Sequence, residues 1–382
     1  MKYCRKCVQP DTRPGIYFDE NGICGACLYE EEKKTIDWDA RLKELQNIAE
    51  WAKKHTDSVY DCAIGVSGGK DSTLQAVYAR DTLGLNPLLV SWVPDDLTDS
   101  GKIQMDNIRN LGFDVFCVRP NPVLMKKLTK KDFYKHMNPI KAGEHCLCAS
   151  TNLIARGFKI PLVIQGENPA LTLGVRNTGL GMGGNALNIA GLQTLSYGLE
   201  EYMGDGVTEK DLFFYSYDKD AMLKGDFKGV WIQYYMKEWS FWGNTEFAQK
   251  YGLKERKGHD PEKCGRINSY GSTDSNMQIL NQMLKYYKLG FGFTTDEVCY
   301  AIREGRMTRE EAIDLVEKYD GKCGNEYIEQ FCEYLDITKD EFWRVVDKFV
   351  NKDLFEKDTA ADIWKPKFKV GVDFDKNVKI EA

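Results

Sequence analysis

The sequence predicts an α/β protein: a doubly wound, Rossmann-like parallel sheet, preceded by a small cysteine-bearing ribbon and followed by a helical region. Three observations predict it. Short apolar runs alternate with helical patterns between residues 61 and 166, two C-x-x-C pairs open the chain, and Thr-x-x-Glu boxes recur in its last third.

The ribbon comes first. Cys4-x-x-Cys7 and Cys24-x-x-Cys27 are separated by sixteen residues, a spacing that suits a tetrahedral four-thiolate zinc site over residues 1–32. An iron site or a redox pair would use the same four sulfurs. A closed four-sulfur site leaves no open coordination position, so its role is structural, and metal binding stabilises a ribbon too short to bury its own core. Gly25 is read as giving the second knuckle its backbone freedom.

Leu42, Leu45, Ile48, Ala49 and Ala52 recur at helical spacing, which predicts a helix over 36–55 leading into a domain at 33–270. The alternation that follows predicts strands at 61–66, 87–93, 114–119 and 161–166. Helices are predicted at 72–83, 100–111, 122–136 and 149–157. Buried apolar strands alternating with helices mean a parallel sheet covered on both faces. Ligands of such sheets sit beyond the carboxyl ends of the strands.

Ser67-Gly68-Gly69-Lys70-Asp71-Ser72 falls at one of those ends, directly after the run Cys62 to Val66. A strand that breaks at paired glycines and restarts as a helix presents backbone N–H groups and a positive helix end, a site for phosphate. The kinase-type phosphate loop requires Ser or Thr after its lysine, and Asp71 stands there instead. The plain alternative is a Gly-Gly turn. Ser91, Trp92, Asp95 and Asp96 mark the second strand end, Arg119 the third, and Gly166, Glu167 and Asn168 the fourth. Glu167 is read as helping to hold Mg²⁺ beside a triphosphate, the plain alternative being a helix cap or a solvated surface.

Cys146-x-Cys148 reads either as a metal or persulfide site or as two packed thiols at a helix start. An insertion at about 170–230 is rich in Gly and Asn (Asn177, Gly179, Gly181, Gly183, Gly184, Asn185, Asn188), then in aromatics from Tyr197 to Trp242, most of which are assigned to a core. Val230–Tyr235 is predicted as a further strand and Asn244–Tyr251 as a helix. In the helical region, 271–364, Thr294 with Glu297, Thr308 with Glu311 and Thr338 with Glu341 are read as capping boxes. Gly305 and Gly321 are read as helix C-caps. An extended tail is expected over 365–382.

Composition narrows the function classes. A net charge of −6 gives no electrostatic footprint for nucleic acid, and no apolar run has the length of a membrane span. The first residues do not read as a signal peptide, and twelve cysteines then argue for thiols and metal sites in the cytoplasm rather than disulfides.

The loop at 67–72 resembles the SGGxDS loop of the PP-loop ATP pyrophosphatases, which cleave ATP between its α and β phosphates. The resemblance implies a pyrophosphate cradle of Ser67, Gly68, Gly69, Asp71 and Ser72, with Lys70 neutralising the leaving group and Asp71 holding Mg²⁺. Ser91, Trp92 and Gly166 join the ATP site, and Lys70, Asp71 and Glu167 are the expected catalytic residues. The opening YCRKCVQPDTRPGIYFDENGICGAC, the loop GVSGGKDS, the strand end IQGENP and the segment YYKLGFGFTTDEVCYAIREGRMTREEAIDLVEKYDG together resemble the N-acetyl sugar amidotransferases of bacterial lipopolysaccharide and pseudaminic acid pathways. That resemblance implies conversion of an acetamido group on a nucleotide-linked sugar into an acetamidino group, with ammonia from separate glutaminase and cyclase-like subunits. Asn168, Lys288, Arg303 and Arg306 are nominated for the substrate, the cations for its phosphates; the arginines suit helix C-termini equally well. Two other chemistries share the loop: a tRNA thiolase, and an ammonia-dependent synthetase that activates a carboxylate.

Overall fold

Apolar residues at every second position of four short runs send side chains to opposite faces of one sheet, and that alternation organises the chain. Cys62, Ile64, Leu89, Leu162 and Ile164 enter one core, and Ala63, Leu88, Val90 and Val163 enter the other. The computed structural model describes residues 1–176, 181–187, 198–374 and 378–380.

In chain order, α1 (Gly25–Glu32) closes the ribbon and α2 (Trp38–His55) leads to β1 (Cys62–Gly65). Then come α3 (Lys70–Asp81), β2 (Pro87–Trp92), α4 (Asp99–Asn110), β3 (Val115–Val118), α5 (Pro122–His136), α6 (Lys141–Gly157) and β4 (Leu162–Gln165). After the short α7 (Pro169–Thr172) and α8 (Lys219–Lys224), β5 (Lys228–Trp231) completes the sheet. The strands are all parallel, in the order β3-β2-β1-β4-β5. The order reverses beside β1, so the crevice lies between the ends of β1 and β4.

Two elements differ from the sequence expectation. Helix α6 begins at Lys141, not near 149, although no side chain caps it. Tertiary packing starts it: Lys141, Ala142, Gly143, His145 and Cys146 are all buried. Gly143 belongs there because a Cβ would come within 2.6 Å of the Trp92 ring. The expected strand at Val230–Tyr235 ends at Trp231, and Ile232–Tyr235 turns as a 3₁₀ helix, tied to the strand end by the Gln233 N–H on the Gly166 carbonyl at 3.2 Å.

The remaining helices are α9 (Phe241–Lys250), α10 (Pro261–Cys264), α11 (Met277–Leu289), α12 (Phe293–Arg303), α13 (Arg309–Tyr319), α14 (Asn325–Leu335) and α15 (Lys339–Phe349), followed by a hairpin of β6 (Phe355–Asp358) and β7 (Ile363–Pro366). Of the three expected capping boxes, only Thr308/Glu311 forms completely. Thr338 caps α15, but the Glu341 carboxylate turns to the Tyr134 hydroxyl. Thr294 lies inside α12, whose first turn is capped by Asp320 from outside: its carboxylate accepts from the N–H groups of Gly292 (2.8 Å) and Thr295 (3.2 Å) and from the Thr295 hydroxyl (2.5 Å). Glu297 is buried instead in a pair with Arg266. Gly305 and Gly321, both at positive φ, end their helices as expected.

The ribbon and the helical region share one core, in which Cys4, Cys7 and Val8 pack with Leu284, Val298 and Ala312. The four ribbon sulfurs lie within 4.8 Å of one another, with Cys4–Cys27 at 4.0 Å and Cys7–Cys24 at 3.7 Å. These are tetrahedral edges, about 3.8 Å for metal–sulfur bonds of about 2.3 Å, and far from the roughly 2.05 Å of a disulfide. Backbone N–H groups of Cys7 and Cys24 point at the Cys4 sulfur, as in a metal knuckle. Gly25 serves a close approach rather than freedom of φ: a Cβ would lie 2.3 Å from the Tyr17 ring.

Beyond Lys365 the chain packs back on the ribbon. The N-terminal ammonium donates to the Phe374 carbonyl at 2.8 Å, and Asp373 accepts from the Tyr3 N–H and from Arg5. Among the described residues, no helix is long and apolar enough to cross a membrane. Asn177, Gly179, Asn188 and Tyr197 lie outside the described residues.

Removing the Asp320 cap leaves buried donors unmet. Asp320→Ala is expected to destabilise the chain by about 2 kcal/mol, read as a lower urea midpoint at unchanged slope; an unchanged midpoint would show that α12 caps itself.

Candidate active site

Strand β1 ends where Val66 donates its N–H to Val90 at 2.8 Å, and the chain leaves the sheet through Ser67, Gly68 and Gly69. Gly68 sits at φ +78°, and a Cβ there would lie 2.8 Å from the backbone of Gln104 in α4. Only glycine fits. Gly69 is the extended N-cap residue of α3, and the first helical bond runs from the Thr73 N–H to the Gly69 carbonyl at 3.0 Å. The N–H groups of the first turn, Lys70 to Ser72, are thus left for a ligand at the positive helix end. The Ser72 hydroxyl donates to Gly69 at 3.1 Å and stiffens the turn.

Lys70 is 7% exposed and Asp71 41%. The lysine ammonium reaches both Asp71 oxygens, at 2.8 and 2.7 Å, and lies 4.0 Å above the Phe241 ring. Asp71 also accepts from Asn244 Nδ2 at 2.7 Å. Glu167, just past the end of β4, faces this pair. The Tyr300 hydroxyl donates to Glu167 at 3.4 Å, and its ring stacks on Phe241 at 4.7 Å. The Glu167 carboxyl is pushed up, first by the protein crowded around it and then by the Asp71 charge, with Lys70 opposing. Solvent still reaches Glu167, so the push is weaker than in a dry site. Two carboxylates facing one ammonium leave a site short of positive charge, a donor set that fits Mg²⁺ shared with phosphate oxygens.

The other nominated residues divide. Gly166 closes against Gln75 of α3, where a Cβ would stand 3.0 Å from the amide nitrogen. Ser91 is buried, with its hydroxyl on the Trp92 carbonyl and the Met105 sulfur. Trp92 points to the α6 side of the sheet. Asn168 is fully buried, and its amide donates to the carbonyls of Gly181 (2.8 Å) and Gly183 (3.0 Å) while its oxygen caps α7. It holds the Gly-rich loop and has no atom left for a substrate.

Of the three cations, one stands beside the site. Arg303 stacks on Tyr300 at 4.6 Å and lines a recess with Thr172, Phe241 and Tyr300. Arg306 is spent on Glu246 and Glu304. Lys288 is half-buried elsewhere, donating to the His136 carbonyl, and desolvation pushes it down to about 8 with the Glu144 charge opposing. Asn244, Phe241 and Tyr300 are the site residues that sequence reasoning missed. Phe241 fell within the aromatic stretch mostly assigned to core and Asn244 at the start of a predicted helix, while Tyr300 lay unremarked in the segment quoted for its resemblance.

Cys146 and Cys148 stand on opposite sides of α6, one packed with Met125 and Tyr202 and the other with Ala186 and Trp231. Two residues apart on a helix, they do not converge on one ion.

Two solved structures show loose similarity in chain path. NMN synthetase from Francisella tularensis matches with 17% identity and TM-score 0.27 over 34% of this chain and 54% of its own, so the match spans about half of that protein. The U34-tRNA thiolase NcsA from Methanococcus maripaludis with its [4Fe-4S] cluster matches with 14% identity and TM-score 0.27 over 87% of this chain and 95% of its own. Superpositions this loose carry no inference about chemistry. No curated protein matches the sequence. The C-terminal helices do have a family: residues 264–369, from the end of α10 to just past the β6–β7 hairpin, match "LPS biosynthesis protein WbpG-like, C-terminal domain". The part of the chain that supplies Tyr300 and Arg303 to the candidate site is therefore the part similar to the C-terminal domain of WbpG-like LPS biosynthesis proteins.

Proposed function

We propose that the chain is an ATP-dependent amidotransferase of surface-sugar assembly, which converts an acetamido group on a nucleotide-linked sugar into an acetamidino group. The observation that carries this reading is the junction of a Ser-Gly-Gly-Lys-Asp-Ser loop and Glu167 at the switch point of a parallel sheet with a side chain, Tyr300, from a lipopolysaccharide-biosynthesis domain.

An acetamide oxygen is a poor leaving group and has to be activated. Its attack on the α-phosphate of ATP forms an O–P bond and breaks the α–β bridge, giving an O-adenylyl imidate and pyrophosphate. Ammonia then adds to the imidate carbon, the C–O bond breaks, AMP departs and the surplus proton goes to solvent. The protein's share is to stabilise charge on the pyrophosphate as it forms. The N–H groups of the α3 first turn point there, and Lys70, held under the Phe241 ring, adds a fixed positive charge. Asp71 and Glu167 would hold Mg²⁺, which supplies charge neutralisation on the triphosphate when bound. Asn244 and Tyr300 fix the two carboxylates. Ammonia is assigned to a separate glutaminase with a cyclase-like subunit, and the four ribbon sulfurs to a structural zinc.

Incubation with ATP, Mg²⁺, ammonium and a panel of UDP- and CMP-linked diacetamido sugars is expected to release pyrophosphate only with one sugar, whose product mass shows O replaced by NH. Sugar-independent release, or an acyl product from a carboxylate, would overturn the assignment. Asp71→Asn and Glu167→Gln are each expected to lower kcat about a hundredfold and to raise the Mg²⁺ concentration needed for half-maximal rate; a full rate at unchanged Mg²⁺ demand removes them from the site. Metal analysis is expected to return one zinc per chain, lost with a drop in melting temperature in Cys24→Ser. Iron in its place, or a stably folded metal-free chain, would refute the zinc assignment.

A further inference from the structure

Past the end of β2 the chain turns through Pro94, Asp95 and Asp96 beneath the C-terminal helices. Two cavities meet at this turn and share Asp95, Asp96, Met277 and Tyr334, so they form one cleft. The outer part, about 220 Å³, lies between the turn and α14, where Tyr327, Gln330 and Glu333 line it. That is below the roughly 300–1,000 Å³ of drug-sized ligand sites and suits a single substituted ring. The inner part narrows under α11 and ends between Trp92 of β2 and Glu144 of α6.

Two polar atoms are left over at that inner end. Trp92 Nε1 and Glu144 Oε2 are both shut off from bulk solvent, and neither has a hydrogen-bond partner among the described residues. A buried donor and a buried acceptor left unmet each cost about 1–3 kcal/mol, so a small side-chain movement that opens them to a group in the cleft recovers that cost. Burial pushes the Glu144 carboxyl up, with Lys141 opposing.

The lining chooses the ligand. Asp95, Asp96, Asp274, Glu144 and Glu333 contribute carboxyl groups, and no lysine or arginine lines either part. Phosphate is repelled there, whereas hydroxyl and amide groups find acceptors and a ring finds the aromatic faces of Trp92 and the tyrosines. The cleft also leads to the ATP loop: Trp92 ends the strand paired with β1, about 5 Å across the sheet from the start of the loop.

We infer that this cleft holds the uncharged sugar portion of the substrate, a ring bearing hydroxyl and acylamino groups, and that the phosphate-bearing portion stays outside it. The inference rests on the amidotransferase reading. It leaves Arg306 to its ion pairs and gives Lys288 no direct contact with the sugar, its ammonium facing Glu144 and the His136 carbonyl from behind.

The test is calorimetric titration of the full chain, without ATP or ammonia, with N-acetylglucosamine, UDP-N-acetylglucosamine and UDP. N-Acetylglucosamine is expected to bind, and to lose at least tenfold in affinity both in Glu333→Trp, which fills the outer part from an exposed position, and in Glu144→Gln. UDP-N-acetylglucosamine should lose the same factor, UDP should not displace the free sugar, and the melting temperature of Glu333→Trp should be unchanged. Affinity unchanged in both variants, displacement of the free sugar by UDP, or no binding of the free sugar, which would leave water as the occupant, each overturns the inference. Cleft-dependent sugar binding with no amidine product would sink the amidotransferase reading alone. Amidine formation with cleft-independent binding would sink only the cleft.

Discussion

The parallel pairing of β1 with β4, Cys62 with Leu162 through Ile64 with Ile164, is the constraint on which the site depends. These strands are a hundred residues apart in sequence, and their register makes their ends neighbours. The loop after one supplies N–H groups, Lys70 and Asp71, and the corner after the other supplies Glu167. Because β2 flanks β1 on its other side, the order reverses at this point and leaves a crevice, so a phosphate loop and a second carboxylate meet without any long-range contact of their own.

The ribbon fixes that corner from outside. The Tyr17 N–H donates to the Gly174 carbonyl at 3.3 Å and the Arg176 N–H to Gly15 at 2.7 Å, clamping the segment that follows Glu167 and α7. Gly174, at φ +67°, lets α1 come so close that a Cβ would lie 2.4 Å from the Ala26 nitrogen. The same ribbon grips α12: Arg13 pairs with Asp296, and the Cys299 thiol lies against the Cys7 sulfur. The four-cysteine ribbon therefore bears on the position of Glu167 through packing alone. Asp296 is held by Lys285 as well as Arg13, so ribbon and α12 are tied through a three-membered charge network rather than a single pair.

The sheet and its order of elements were legible because β-period and helix-period patterns are local properties of the chain. The turn at 67–72 was legible for the same reason, since strand, glycines and helix are contiguous. What escaped depended on contacts from far away. Helix α6 starts eight residues early because Trp92 and the α5 side bury its first turn, which no capping residue announces. Glu297 has the spacing of a capping box but is taken by Arg266, 31 residues upstream, leaving Asp320 to cap α12. Lys288 and Arg306 were chosen for their charge, and charge alone cannot show that a carbonyl or a carboxylate has already claimed them. Asn168 was rightly marked as special, but its specificity is for two glycine carbonyls.

The C-terminal region reaches the candidate site rather than only packing against the sheet domain. Glu304, one residue past α12, accepts the N–H groups of Phe241 (2.6 Å) and Trp242 (3.4 Å), and so holds the start of α9. That helix end carries the Phe241 ring over Lys70 and places Asn244 on Asp71. The neighbouring Tyr300 stacks on the same ring and reaches Glu167. A sugar seated beneath α11 and α14, as proposed, would thus press on the region whose Glu304 and Tyr300 order the surroundings of Asp71 and Glu167. On the proposed reading, a ligand in that cleft and the geometry of the loop at 67–72 are coupled through this one contact.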